Sequence, residues 1–204
     1  MRDLNPPSRV GRMLIVPALG ILVAACSSIA APTQVATNGS TATSPSETPG
    51  GVTGGDIPDN AVFLTYRGTG PIFSIQYVEG WQVTSKPDGV VIRDKDSSET
   101  VTIVAPQADV AGYVASTDLP ALRAQAGFQL IRQDTVTVGG STYVHLAYGQ
   151  TSPPDSVTGK QVPQTVDRYY VPGPGGLAKI SLATPHGVDN VDAFLQMIRS
   201  FGWS

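Results

Sequence analysis

The sequence predicts an α+β domain in which helices cover an antiparallel β-sheet. Apolar and polar residues alternate in several segments, as in "FSIQYV", where Phe73, Ile75 and Tyr77 share one face. Two of these segments are separated only by Gly139 and Gly140, a strong signal for a two-residue hairpin turn. Near the C-terminus the apolar residues recur instead at helical spacing, which gives the sheet a helix to pack against.

The alternating segments form three predicted hairpins. "GVVIRD" and "ETVTIVAP" flank the polar turn "KDSS", and "FQLIRQDTVTV" and "STYVHLAYGQ" flank the glycine pair. "QTVDRYYV" and "LAKISLATP" flank "PGPGG", for which a longer loop is expected. Short turns can join only antiparallel neighbours, so the sheet is predicted to be mainly antiparallel.

Two regions are predicted to be helical. Asp109 to Gly127 favours one or two short helices, with Asp109 and Asp118 as candidate N-caps and Gly127 as the end. The last helix is expected to have Asp189 as its N-cap and to end at Gly202. Its apolar stripe consists of Val191, Phe194, Leu195, Ile198 and Phe201.

The N-terminus has the pattern of a secretory leader. Basic residues precede the apolar run "MLIVPALGILVAA", which is shorter than the roughly 20 residues that a membrane-spanning helix needs. The run ends in "VAAC", which resembles a bacterial lipobox. That resemblance implies cleavage between Ala25 and Cys26 and a diacylglyceryl group on the Cys26 thiol. The alternative is an ordinary secretory signal in which Cys26 is incidental.

Three regions follow from this pattern: a signal peptide over 1–25, a lipidated N-terminus with a flexible linker over 26–60, and one domain over 61–204. The linker is rich in Ser, Thr, Pro and Gly and has few large residues to bury. The chain has 13 basic and 16 acidic residues; losing the three arginines and one aspartate of the leader leaves 10 against 15, a net charge of −5. This balance argues against nucleic acid as a partner and leaves membrane attachment to the lipid.

Several segments together resemble the PsbP/Mog1-like family. They are "FSIQYVEGW", "VVIRD", the mid-chain helix, "GLAKISLATP" and "FLQMIRSFGW". Val78 stands where the family usually has proline. The resemblance implies an antiparallel sheet sandwiched by helices (α/β/α) and mostly non-enzymatic roles: photosystem II accessory subunits and assembly factors, nuclear transport cofactors, and bacterial lipoproteins. Phe73, Tyr77 and Trp81 match the opening motif and are interpreted as core and turn residues, with a ligand role for Trp81 as the alternative.

No set of residues predicts catalysis, a metal or a cofactor. The two histidines, His145 and His186, do not occur in a zinc-ligand pattern. The segment Asp94–Glu99 is similar to the start of a calcium loop but lacks the glycine and glutamate at the required positions, so a solvated hairpin turn is expected. The sequence has no G-x-S-x-G or S-x-x-K motif for a nucleophile.

The predicted function is therefore that of a lipoprotein on the extracytoplasmic face of the cell membrane, acting as a non-catalytic accessory or protein-interaction module. A photosystem II role is expected only if the organism is photosynthetic. Binding is predicted at "PGPGG" and at the loop over 151–165, whose alternative is a disordered hairpin tip. The alternative function is a small-ligand or metal-binding lipoprotein. Its pocket would be lined by Trp81, Tyr148, Tyr169 and Tyr170.

Overall fold

A seven-stranded antiparallel sheet forms the centre of the domain in the computed structural model, which describes residues 56–70 and 72–204. Cys26 and the predicted leader lie outside the described residues. The strands are β1 (Phe63–Arg67), β2 (Phe73–Val78), β3 (Gln82–Lys86), β4 (Gly89–Asp94), β5 (Ser97–Val104), β6 (Gln129–Val138), β7 (Ser141–Thr151), β8 (Pro163–Gly173), β9 (Gly176–Pro185) and β10 (Gly202–Trp203). The helices are α1 (Val110–Tyr113), α2 (Leu119–Arg123) and α3 (Val191–Ser200), and a π-helical turn, Val114–Asp118, joins α1 to α2. No helix within the described part of the chain is long and apolar enough to cross a membrane.

The strand order confirms the predicted α+β class. The central sheet runs β3-β4-β5-β9-β8-β7-β6, and a smaller sheet runs β1-β2-β10, with all pairs antiparallel. All three predicted hairpins are present, as β4–β5, β6–β7 and β8–β9. The third turn is tighter than expected, because Gly173 pairs with Gly176 and leaves only Pro174 and Gly175 between the strands.

The two faces of the central sheet are covered differently. On one face, the small sheet and α3 enclose the larger apolar cluster, which includes Phe73, Ile75, Ile180, Phe194 and Met197. On the other face, residues 110–123 cover a second cluster centred on β7, β8 and β9. The predicted sandwich is therefore present, but one of its layers combines a helix with three strands.

The core also reaches further towards the N-terminus than the predicted boundary at residue 61. Ile57 is buried, and its backbone N–H donates to Oδ1 of Asn190 at 2.8 Å. The short strands β1, β3 and β10 were not predicted. The β3 sequence QVTSK has no alternation of apolar and polar residues, because every residue of this strand is exposed and none packs in the core. The strand therefore gave no signal in the sequence.

The two predicted caps of the mid-chain helix differ in outcome. Asp109 is confirmed as an N-cap, since its Oδ1 accepts a hydrogen bond from the Gly112 N–H at 2.9 Å. Asp118 does occupy the position before α2, but its backbone is helical and its side chain makes no capping bond, so the prediction is correct in position and wrong in the capping role. Asp118 is instead buried and turned towards the sheet, where it meets charged partners.

Helix α3 begins one residue later than predicted and also ends earlier. Oδ1 of Asp189 accepts from the Val191 N–H at 3.2 Å, and Asn190 occupies the N-cap position. Val191 is exposed and the buried residues are Phe194, Met197 and Ile198, so the predicted stripe is only partly correct. The chain leaves the helix at an extended Phe201 and adds β10 to β2.

The turn "PGPGG" holds this C-terminal strand in place. A Cβ atom built on Gly173 would clash with Nε1 of Trp203, and one on Gly175 would lie 2.7 Å from another atom of the same ring. The two glycines therefore allow the indole to lie across the turn. This contact gives the turn a structural role that composition alone did not indicate.

Candidate functional site

The four aromatic residues predicted to line a pocket are separated by the structure. Trp81 and Tyr169 belong to the cluster under the small sheet and α3, whereas Tyr148 and Tyr170 lie under the helical segment on the opposite face. All four are buried. Of the four, only Trp81 borders one of the described cavities, of about 510 Å³. The four residues do not line one common pocket. Tyr169 and Tyr170, for example, are consecutive in β8 and therefore point to opposite faces of the sheet.

Asp118 is the centre of a buried charged cluster. Nη1 of Arg168 donates to its Oδ2 at 2.7 Å, the Tyr170 hydroxyl donates to the same oxygen at 2.6 Å, and Nζ of Lys179 donates to Oδ1 at 2.9 Å. Burial raises the Asp118 pKa, but the charge of Arg168 and the three hydrogen bonds outweigh it and hold the pKa below its ordinary value. Two cations share one carboxylate, so the cluster carries a net charge of +1.

The Arg168 guanidinium is fixed at two further points. Its Nε donates to the Ser181 hydroxyl at 2.9 Å, and its Cζ lies 5.5 Å from the centre of the Tyr148 ring, within cation–π range. Arg168 and Ser181 are directly paired across β8 and β9. The cation is therefore positioned by neighbouring strands as well as by Asp118.

This cluster lies at the border of an uncovered part of the sheet. Residues 110–123 cover β7, β8 and part of β9 and reach Val104 at the end of β5, while β3, β4 and the rest of β5 have no helix on this side among the described residues. Strand register places Lys86 in one row with Thr102 and Lys179, and Arg93 in another with Ser98. We call this surface the basic face. It consists of Lys86, Arg93, Arg168 and Lys179 together with the hydroxyl residues Ser98, Thr100, Thr102 and Ser181.

A cavity of about 400 Å³ adjoins the basic face, between the β4–β5 turn and residues 152–157. Arg93 and Ser98 contribute to its wall. The turn after Asp94 and the loop over 151–165, which are far apart in the sequence, therefore border the same cavity. Nε2 of Gln164 joins them by donating to the Asp96 carbonyl at 2.6 Å.

Internal hydrogen bonds order the loop between β7 and β8. Oδ1 of Asp155 accepts from the N–H groups of Val157 and Thr158 and from the Thr158 hydroxyl, at 2.7–3.1 Å. These bonds lower the Asp155 pKa. The Ser152 hydroxyl accepts from the Val162 N–H at 2.9 Å and closes the base of the loop. The predicted alternative of a disordered tip does not match this bonding.

His145 lies between two carboxylates. Its Nδ1 is 2.9 Å from Oδ1 of Asp134 and its Nε2 is 2.9 Å from Oδ1 of Asp167. Both nitrogens must carry a proton to donate both bonds, so the arrangement favours the imidazolium. Burial lowers the His145 pKa, but the bonds to Asp167 and Asp134 outweigh it and the pKa is raised.

The pairing of His145 with Asp134 could have been predicted from the sequence. A two-residue turn at Gly139 and Gly140 places Asp134 directly opposite His145, as the structure shows. The carboxylates approach opposite ends of the ring, and no group of three or more potential ligands in the described residues is arranged to hold a metal ion. The other histidine, His186, is exposed, and its Nδ1 lies 3.4 Å from the Thr165 hydroxyl.

Glu99 contradicts the prediction of a solvated turn over Asp94–Glu99. The turn ends before Ser97, and Glu99 lies within β5 with no exposed surface, between Ile92 and Leu182 of the adjacent strands. Neither carboxyl oxygen has a hydrogen-bond partner among the described residues. Burial raises its pKa well above the ordinary value. The strand alternation that buries Val101 also turns Glu99 inward.

Comparison with known proteins supports the fold. No family model and no curated protein sequence matches the chain. The solution structure of the cyanobacterial PsbP protein CyanoP from Synechocystis sp. PCC 6803 is similar over 74% of this chain and 98% of CyanoP, with 18% identity and a TM-score of 0.50. This likeness confirms, at the level of the fold, the resemblance to PsbP/Mog1-like domains.

Two further solved structures are similar at lower scores. The Ran-binding protein Mog1p of Saccharomyces cerevisiae has 13% identity and a TM-score of 0.46, covering 71% of this chain and 96% of its own. LpqN of Mycobacterium tuberculosis, described as involved in cell envelope biogenesis, has 15% identity and a TM-score of 0.36, covering 69% and 86%.

Proposed function

We propose that this chain is a lipid-anchored extracytoplasmic protein whose domain is a non-catalytic interaction module. The observation that carries the proposal is the basic face, a polar surface across β3, β4 and β5 that no helix covers among the described residues, while residues 110–123 cover β7, β8 and part of β9. Both carboxylate oxygens of Asp118 and both ring nitrogens of His145 are bonded to neighbouring side chains, which favours a structural role for these two residues. An open, polar sheet face is suited to docking a partner.

The anchor proposed is the lipid on Cys26. The leader pattern before it and the Ser/Thr/Pro/Gly-rich segment after it support this placement. By random-coil scaling, the 30 residues between Cys26 and Ile57 would span on the order of 30 Å, which is enough to hold a small domain clear of a bilayer. A diacylglyceryl group supplies the two chains that stable membrane retention requires.

The anchor is tested by replacing Cys26→Ser and separating soluble from membrane fractions. We expect the wild-type chain in the membrane fraction, labelled by a fatty-acid analogue, and the variant unlabelled. Ser28→Ala serves as the matched control and should behave as wild type. A Cys26→Ser chain that still incorporates the fatty acid would contradict lipidation at this residue.

The interaction module is tested by photo-crosslinking in intact cells. A photoreactive amino acid is placed at Thr100, in the middle of the basic face, and in a second strain at Gln196 on the exposed side of α3. We expect a discrete crosslinked species from position 100 that is absent from position 196. No species from either position, or the same species from both, would count against a specific partner at the basic face.

A further inference from the structure

The basic face differs in charge from the rest of the domain. It has four cations, Lys86, Arg93, Arg168 and Lys179, against the single carboxylate of Asp118. These residues carry a net charge of +3, which falls to +1 when Asp94, Lys95, Asp96 and Asp155 of the cavity beside Arg93 are included, whereas the chain after Cys26 has a net charge of −5. A local field of this sign attracts anionic groups even though the whole domain is acidic.

The four cations surround a floor of hydroxyl groups. Lys86 and Lys179 are in register and separated by β4 and β5, so their Cα atoms are about 14 Å apart at the usual strand spacing. Between them lie half-buried Thr100 and Thr102, with Val91 beside them. Hydroxyls and ammonium or guanidinium groups can all donate hydrogen bonds to carboxylates.

Two of the cations are recessed and two are exposed. The side chains of Arg168 and Lys179 are only 16% and 19% exposed, and Asp118 holds them in place. Lys86 and Arg93 are exposed at the opposite margin. An anion must therefore project into the face to reach the recessed pair, which a side-chain carboxylate can do more readily than a flat layer of lipid headgroups.

The apolar residues also favour a protein over a membrane. None of the large apolar side chains that are exposed in the described part of the chain belongs to the basic face. Val83 lies on β3 but pairs with Ile92, whose side chain is on the other side of the sheet. A surface that inserts into a bilayer would be expected to present such side chains.

We propose that the basic face docks an acidic segment of a partner protein, with Lys86 and Arg93 contacting its carboxylates at the margin and Arg168 and Lys179 contacting them at the base. This inference names the partner chemistry of the interaction module and rests on that proposed function. Because the exposed cations are long-range attractors, their removal should weaken binding mainly at low salt.

The test is fluorescence anisotropy with a fluorescein-labelled octaglutamate peptide and the full lipid-anchored chain in a non-ionic detergent. We expect the double variant Lys86→Gln/Arg93→Gln to bind the peptide about 5-fold more weakly than wild type at low salt. The matched control is Arg67→Gln/Arg199→Gln, which removes two exposed cations elsewhere and should stay within about 2-fold of wild type. Neither double variant changes a buried residue, so both should keep the wild-type fold.

Three results would overturn the proposal: no peptide binding by wild type, equal weakening in both double variants, or displacement of the peptide by sn-glycerol 3-phosphate at equal charge concentration. The last result would identify the site as one for a phosphate headgroup. None of these results bears on the fatty-acid labelling of Cys26 or on crosslinking at position 100. A failure here is therefore distinguishable from a failure of the proposed function.

Discussion

Replacing Glu99→Leu should make the protein more stable at neutral pH. The Glu99 side chain has no exposed surface, and neither of its oxygens has a hydrogen-bond partner among the described residues. Its cross-strand neighbours, Ile92 and Leu182, are fully buried apolar residues. Leucine has a similar volume and no polar atoms, so it can fill the site without leaving a cavity or an unpaired group.

The size of the effect follows from the cost of an unpaired buried polar group, about 1–3 kcal/mol. For a domain of this size, a gain of about 2 kcal/mol corresponds to a rise in Tm of about 4–8 °C. The gain should depend on pH. Above the ordinary Glu99 pKa of 4.5 the unfolded chain loses the proton, while the folded chain, with its raised pKa, keeps it. Wild-type stability therefore falls as pH rises, by at most about 1.4 kcal/mol per pH unit from this group, and the variant lacks that loss.

The assay is urea unfolding of the full chain at pH 4.5, 6.0 and 7.5, with Glu79→Leu as the same change at an exposed site. We expect the free energy of unfolding of Glu99→Leu to exceed that of wild type by an amount that grows with pH. Glu79→Leu should stay within about 0.5 kcal/mol of wild type throughout. The reasoning is refuted if Glu99→Leu is less stable at pH 7.5, or if its difference from wild type is the same at all three pH values.

Three further variants test other parts of the fold. Gly173→Ala places a methyl group against the Trp203 ring and should lower the free energy of unfolding by about 1–3 kcal/mol, measured by thermal denaturation. The control Gly149→Ala meets only ordinary contacts and should lower it by less. Equal losses in the two variants would contradict the packing of the turn against Trp203. Asp118→Asn leaves the partly buried cations Arg168 and Lys179 without a counter-charge and should cost about 3 kcal/mol at pH 7 by urea unfolding. Because folding lowers the Asp118 pKa, this loss is present above the ordinary pKa of 3.8 and shrinks below about pH 4. In the wild-type protein, the charged His145 should add to stability fully below about pH 6.5 and lose this effect as pH rises through the raised His145 pKa. His145→Gln should remove this contribution. A pH profile of unfolding that is the same in the variant and the wild type would argue against the imidazolium.

The hairpins were predictable because their information is local. The turn at Gly139 and Gly140 sets the register of β6 against β7, and alternation assigns the faces. The same rule would have paired Asp134 with His145, although the contact of His145 with Asp167 needs a third strand that the turn does not specify. The N-cap at Asp109 was predicted correctly for the same reason, since its side chain accepts a hydrogen bond from a residue only three positions away.

The candidate site was largely missed because it is assembled from residues far apart in the chain. Asp118 and Arg168 are 50 positions apart, and only the docking of residues 110–123 on β8 brings them together. Net charge averages over the whole domain, so it predicted an acidic surface and could not show that Arg93 and Lys86 share a face with the partly buried cations of the Asp118 cluster. The resemblance to a known family indicated the fold and not this surface.

By itself, the sequence determined the α+β class, the three hairpins, the final helix and the expectation of a lipid anchor at Cys26, since each depends on residues that are neighbours in the chain. Only the tertiary structure decided which strands are covered, that Trp81 and Tyr148 lie on opposite faces, and that Glu99 is buried without a hydrogen-bond partner among the described residues. The physical reason is that burial and pairing depend on how separate elements pack, and periodicity within one element does not specify its partner.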